Sequence, residues 1–118
     1  MEDRFTINYH NLEELRAAID AMEELPDVFV CANDFAAWDT MYALAAVGKQ
    51  VPEDVMICGF DDSAESRFSK PPMTTVHIHS RAMAYSAVEL LISRINAPSL
   101  NFRTVYTETD LIYRESAK

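Results

Sequence analysis

Two apolar runs in this sequence each end in a polar turn equipped to hold a small molecule. DVFVCAND closes on Asn33 and Asp34, and DVMICGFDD closes on Phe60, Asp61 and Asp62. Carboxylates and an amide on fixed loops can exchange hydrogen bonds with several hydroxyls or ring nitrogens, and Phe60 can supply an apolar floor. That is the chemistry of a pocket for a sugar or another small polar molecule. The same residue types are also ordinary turn and N-cap residues. Asn33 and Asp61 as ligand contacts therefore stand beside that plainer reading, and a capping role is expected of Asp34 and Asp62.

Other chemistry finds less support. There is no Gly-x-Ser-x-Gly elbow and no Cys beside a His in the sequence. Asp61 could act as a nucleophile or base, but no Lys or metal-site partner accompanies it, so no catalytic residue is assigned. His77 and His79 would share one face of an extended segment, yet no third ligand is spaced to complete a metal site. They are read as solvated or hydrogen-bonded, and neither metal nor cofactor is expected. Cys31 and Cys58 close the runs VFVC and VMIC and read as buried reduced thiols; a disulfide is not expected.

Ten Lys and Arg against 19 Asp and Glu give a net charge of -9, and no run of Lys and Arg exceeds two. A duplex-binding surface needs basic side chains to replace counterions on the phosphates, so direct nucleic-acid binding by this chain is not expected. The charged start MEDRF argues against a secretory leader. No apolar run approaches the ~20 residues of a membrane span, and the cytoplasm is the expected location.

The elements that must carry these turns follow from periodicity. The 118 residues, 49% apolar, fit one compact domain without an evident linker, and only two Gly argue against a turn-dense all-β fold. Residues 4–9 alternate and predict a strand. Asn11 with Glu14 three residues on predicts a capping box, followed by a helix with Leu12, Leu15, Ile19 and Met22 on one stripe, ending near Leu25–Pro26. Val28 to Ala32 predict a strand buried on both faces, as in a parallel sheet.

A second helix is expected from Phe35 to Val47, with Gly48 at its C′ position and a core stripe of Ala37, Met41, Leu44 and Ala45. Trp38 and Tyr42 lie on another ridge, which suggests either a protein interface or a thick core in a larger protein; Phe68 is a weaker candidate for the same interface. Val55 to Cys58 predict the next parallel strand, broken by Gly59. After Pro71–Pro72, TTVHI continues as a short strand or linker. Ser80 is expected to cap a third helix, apolar at Met83, Ala87, Val88, Leu91 and Ile95 and ended by Asn96-Ala-Pro98. Residues 102–114 have strand composition, with a kink at Thr109–Asp110. The order β-α-β-α-β-(extended)-α-β is an α/β fold, a mainly parallel sheet flanked by helices.

Residues 26–115 resemble the C-terminal half of the effector-binding domain of LacI/GalR transcription regulators. An AND turn (32–34), VPEDV (51–55), GFDD (59–62) and PPMTT (71–75) occur in the family's order, and YTETDLIYRES is similar to its closing segment. The ordered set is far more specific than any one element.

The resemblance implies a periplasmic-binding-protein-like (type I) fold of two α/β subdomains around a cleft for a sugar or related effector. Dimerisation through both subdomains and an N-terminal helix-turn-helix that contacts DNA also follow from it. By motif, Asn33 and Asp61 would contact effector, and Trp38 and Phe68 fall where the C-terminal subdomains pair. Asn8 or Tyr9 would line the cleft. The family often has a Gln two residues after its TTV element; here Ile78 stands there and removes that amide.

Residues 1–118 are thus expected to be the C-terminal portion of such a domain, a fragment lacking the DNA headpiece, acting as a homodimer and away from membranes. Two rivals are a sugar-binding protein of the same fold and a small hydrolase or phosphotransfer domain built on Asp61.

Overall fold

A computed structural model describes residues 6–118. Along the chain run α1 (Leu12–Asp20), β1 (Val28–Val30), α2 (Asp34–Ala46), β2 (Met56–Cys58), a 3-10 turn (Glu65–Arg67), β3 (Thr75–Ile78), α3 (Ser80–Asn96) and β4 (Thr109–Ile112). The chain divides into two compact units. One runs through His77 and regains Leu111–Lys118; the other is Ile78–Asp110. The sequence shows no linker because the division falls inside β3 and β4, not at a polar or Gly-rich stretch.

In the first unit, β1 and β2 pair in parallel, with Val28 opposite Met56, Phe29 opposite Ile57 and Val30 opposite Cys58. On the other side of β2, parallel bridges join Cys58 to Thr74 and Asp61 to His77. Gly59 N–H donates to Thr74 C=O and Asp61 N–H to Val76 C=O, each at 2.9 Å. Phe29 and Ile57 face a core made with Leu15 and Ile19 of α1, Ala37, Met41, Ala43 and Leu44 of α2, and Val55 and Met73. Burying each of the larger side chains contributes roughly 1.5–3 kcal/mol.

Local signals place the helices well. Asn11 accepts from Glu14 N–H at 2.9 Å, and Glu14 reaches back to His10 N–H at 2.9 Å, a capping box shifted by one donor. Helix α1 ends at Asp20, short of the expected Leu25–Pro26, because Met22 N–H turns to Ile19 C=O at 3.1 Å and closes the last turn tightly. Helix α2 covers the expected span, and Gly48 follows it at φ 77°, the left-handed position that Gly takes without a Cβ penalty. Its buried face includes Ala43 and leaves Ala45 exposed, a rotation of the expected stripe.

The strands depart further from expectation. The described part of residues 4–9 forms no strand; Arg4 and Phe5 lie outside the described residues. Alternation still operates there, with Ile7 and Tyr9 packed on the core. Strand β1 stops at Val30 and is buried on one face only: Phe29 is 9% exposed and Val30 78%. An apolar run of this length is ambiguous between one and two covered faces. Strand β2 starts one residue late, at Met56.

In the second unit, His79, not Ser80, holds the N-cap position of α3, with no side-chain capping bond. None of the 17 residues of α3 is buried, so Met83, Val88, Leu91 and Ile95 stay accessible. Residues 101–108 form no strand, and β4 spans only Thr109–Ile112; strand-like composition is not sufficient without a pairing partner. The Arg94 guanidinium lies 4.6 Å from the centre of the Phe102 ring, and Arg103 donates to Ser93 Oγ at 2.7 Å.

Candidate functional site

Because β1 and β2 are parallel and in register, the turns that follow them emerge at one edge of the sheet. They are also tied together, since Asp34 N–H donates to Phe60 C=O at 2.9 Å. Asn33 and Asp61 thus leave neighbouring strand tips. Asn33 spends its Oδ1 on the α2 N-cap, accepting from Ala36 N–H at 2.8 Å, which leaves its amide NH2 outside that bond. The Asp61 carboxylate is exposed and has no hydrogen-bond partner among the described residues. Phe60 is exposed beside it.

The neighbouring carboxylates do different work from the capping expected of them. Asp34 is buried, and its Oδ2 accepts from Ser63 N–H at 2.6 Å while Oδ1 accepts from Thr75 Oγ1 at 2.5 Å. It staples the first turn to the second and to β3, so it is not a cap. A Cβ on Gly59 would run into this carboxylate and lie 2.8 Å from Met73 Sδ; the GFDD turn needs its Gly for close approach.

Asp62 is not a cap either. Its Oδ1 accepts from Arg114 Nη2 at 2.5 Å, and its Oδ2 lies 3.1 Å from both Arg67 Nη2 and His77 Nδ1. Burial alone would raise its carboxyl, but hydrogen bonds from Arg114 and Arg67, the Arg114 charge and His77 hold it below the usual carboxylate value.

Tyr9 stands apart from this edge group. Its hydroxyl donates to Asp39 Oδ2 at 3.0 Å. Burial, reinforced by that hydrogen bond and the Asp39 charge, pushes its pKa up to about 12. It lines a cavity of about 300 Å³ with Ile7, Leu15, Phe29, Cys31 and Thr40; Asn33, Phe60 and Asp61 do not border it. Cys31 and Cys58 are free thiols, both raised by burial and so poor nucleophiles. His77 and His79 diverge in partner, to Asp62 and to Asp110, each at 3.1 Å. No metal-ligating cluster occurs among the described residues.

Trp38 and Tyr42 do converge with Phe68. The three border one surface recess of about 380 Å³ with Met41, Ala45, Ser69 and Lys70. They are 40%, 64% and 79% exposed.

Residues 1–117 match the family of periplasmic binding protein-like domains. A lactose operon repressor of Rhizobium radiobacter is 35% identical over 98 residues, covering 83% of this chain and 86% of that relative. The chain belongs to the LacI/GalR family. Within that family, a PurR transcriptional repressor of Pasteurella multocida is 37% identical over 98 residues, covering 83% of this chain and 29% of the repressor. The chain therefore spans under a third of the length of this curated relative.

Among solved structures, a transcriptional regulator CelR–cellobiose complex superposes with a TM-score of 0.80 at 31% identity, over 90% of this chain and 32% of that one. A LacI-type regulator from Bifidobacterium animalis gives 0.77 at 30% identity, over 91% of this chain and 38% of that one.

The LacI/GalR segment is an α/β fold, as its order of elements indicates, and its AND and GFDD turns share one edge. What sequence reading missed in it are Asp34 as a staple and Arg114 as the partner of Asp62. The only signal for Arg114 was its place in the family-like close YTETDLIYRES. No helix among the described residues is long and apolar enough to cross a membrane.

Proposed function

We propose that this LacI/GalR segment forms one wall of a small-molecule effector site in a DNA-binding transcription regulator. Asn33 and Asp61 supply polar contacts and Phe60 an apolar one, while Tyr9, given to the cleft by the family resemblance, borders a separate cavity. The observation that carries the reading is the parallel register of β1 and β2, which brings the Asn33 and Asp61 turns to a common edge. An exposed carboxylate, an amide and an aromatic ring suit a ligand rich in hydroxyls, and a structural neighbour is described in complex with cellobiose.

DNA contact belongs, on this reading, to a headpiece outside these residues, which the net charge of -9 supports. The relatives are named as HTH-type repressors. Effector binding would bias the spacing of paired headpieces, a coupling between two sites. Pairing of copies is assigned to the recess of Trp38, Tyr42 and Phe68, since aromatic residues in an exposed recess favour protein contact. No reaction is proposed, and the cytoplasm is the proposed location.

The test is a thermal-shift screen of sugars, cellobiose and ribose among them, and of nucleobases against an intact regulator carrying this segment. A compound that stabilises the wild type and not Asp61→Ala is the expected result. A compound that stabilises both equally removes Asp61 from the site.

A further inference from the structure

We propose that Arg114 and Asp62 form a positioning pair that holds the neighbouring Asp61 in its exposed, strained conformation at the strand tip. The proposal rests on the assignment of Asp61 to the effector site. Asp61 and Asp62 have φ angles of 111° and 51°, in the region where a Cβ is disfavoured and Gly is the usual occupant. Two consecutive non-Gly residues there persist only where the surroundings over-determine them.

Those surroundings are visible. Asp61 N–H is held by Val76 C=O at 2.9 Å, and Asp62 N–H points at Thr75 Oγ1 at 3.3 Å. Each backbone bond tolerates some rotation. The Asp62 side chain does not, because it is 6% exposed and gripped at both oxygens.

Arg114 supplies the shortest of those grips, and it is itself immobilised. Its Nη1 donates to Ser66 Oγ at 2.9 Å and Met73 C=O at 2.8 Å, and its backbone N–H donates to Thr74 Oγ1 at 2.8 Å. A guanidinium fork can serve three acceptors in one plane; a lysine ammonium on a flexible stem does not reproduce that geometry. One carboxylate of the Asp61–Asp62 pair is thus consumed in anchoring, and the other is left with no partner among the described residues. The division of labour is imposed from residue 114, near the far end of the chain. Arg67 and His77 share the opposite oxygen of Asp62 and are more exposed, 60% and 40% at the side chain, so they contribute less to the grip.

The experiment is amide hydrogen exchange and three-bond HN–Hα coupling by NMR on the full 118-residue chain, for wild type, Arg114→Lys and Asp62→Asn. In both variants the Asp61 and Asp62 amides are expected to accelerate by at least about tenfold more than the Leu44 and Ile19 amides, which report the global loss alone, so that the excess is a local opening. The Asp61 coupling is expected to move as its φ relaxes.

A merely structural role predicts that Leu44 and Ile19 accelerate in step with Asp61, and that result overturns the proposal. An unchanged Asp61 amide and coupling in both variants overturns it as well. If Arg114→Lys does not fold, the isosteric Asp62→Asn decides by the same two readings. No ligand enters this measurement, so its outcome is separate from that of the Asp61→Ala screen.

Discussion

Thr75 Oγ1 donates to Asp34 Oδ1 at 2.5 Å across 41 residues of sequence. The other Asp34 oxygen holds Ser63 N–H, so one buried carboxylate links the turns after β1 and β2 to β3. Replacement by Asn keeps the shape but turns an NH2 group toward one of two donors. Asp34→Asn is expected to destabilise the chain by about 2–4 kcal/mol, the scale for leaving buried donors unsatisfied beside a lost charged acceptor. Asn33→Ala, which removes only a helix cap, should cost about 1 kcal/mol. Urea unfolding of the two variants measures the difference, and equal losses would contradict the staple.

Gly59→Ala tests the same junction by bulk. The added Cβ meets Asp34 and Met73, and over-packing of this kind costs about 1–3 kcal/mol. The midpoint of urea unfolding should fall accordingly; an unchanged midpoint would mean the turn has room to shift.

Asp62 gives the chain a pH signature. Its carboxyl sits below the usual value in the folded state, so the unfolded chain binds that proton more readily. The stabilisation is complete above the unfolded carboxylate value of about 4 and fades as pH drops through the folded value. Unfolding followed from pH 6 downward should show a steeper loss in wild type than in Asp62→Asn. Parallel curves would contradict the ion cluster.

Tyr9 titrates at the opposite extreme. Its phenol is raised to about 12 by burial and by Asp39, so its neutral form is favoured in the folded chain. The associated stability is intact below the unfolded value of about 10 and lost as pH climbs through the folded one. Ultraviolet titration should show one phenol ionising late, absent in Tyr9→Phe. Ionisation of all tyrosines together near the ordinary value would break the assignment.

The recess of Trp38, Tyr42 and Phe68 predicts association. In sedimentation, Trp38→Arg should shift the chain toward monomer, since charge in an aromatic interface centre is costly. An unaltered distribution would place the contact elsewhere.

What the sequence disclosed divides along physical lines. The start of α1 and the end of α2 were legible because those caps are local: Asn11 with Glu14, and Gly48 after α2, are written within four residues, whereas the end of α1 and the N-cap of α3 were not read correctly. The shared edge of Asn33 and Asp61 was legible because two apolar runs of like kind predict parallel strands. The stapling partners were not, since Thr75 and Arg114 lie 41 and 52 residues from Asp34 and Asp62 and nothing local marks such pairs. The strand expected over 102–114 was realised only at Thr109–Ile112 for a related reason: β composition describes a surface that suits pairing, and the pairing itself is tertiary.

The accessible apolar side chains of α3 have a consequence for the molecule in solution. The surplus of carboxylates over the whole chain provides the electrostatic repulsion that keeps such faces from meeting. That repulsion vanishes as pH approaches the isoelectric point near 4.6, and added salt shortens its reach. The chain should therefore precipitate from concentrated acidic or high-salt solution well before it unfolds, and low ionic strength at neutral pH is the condition that keeps it dispersed.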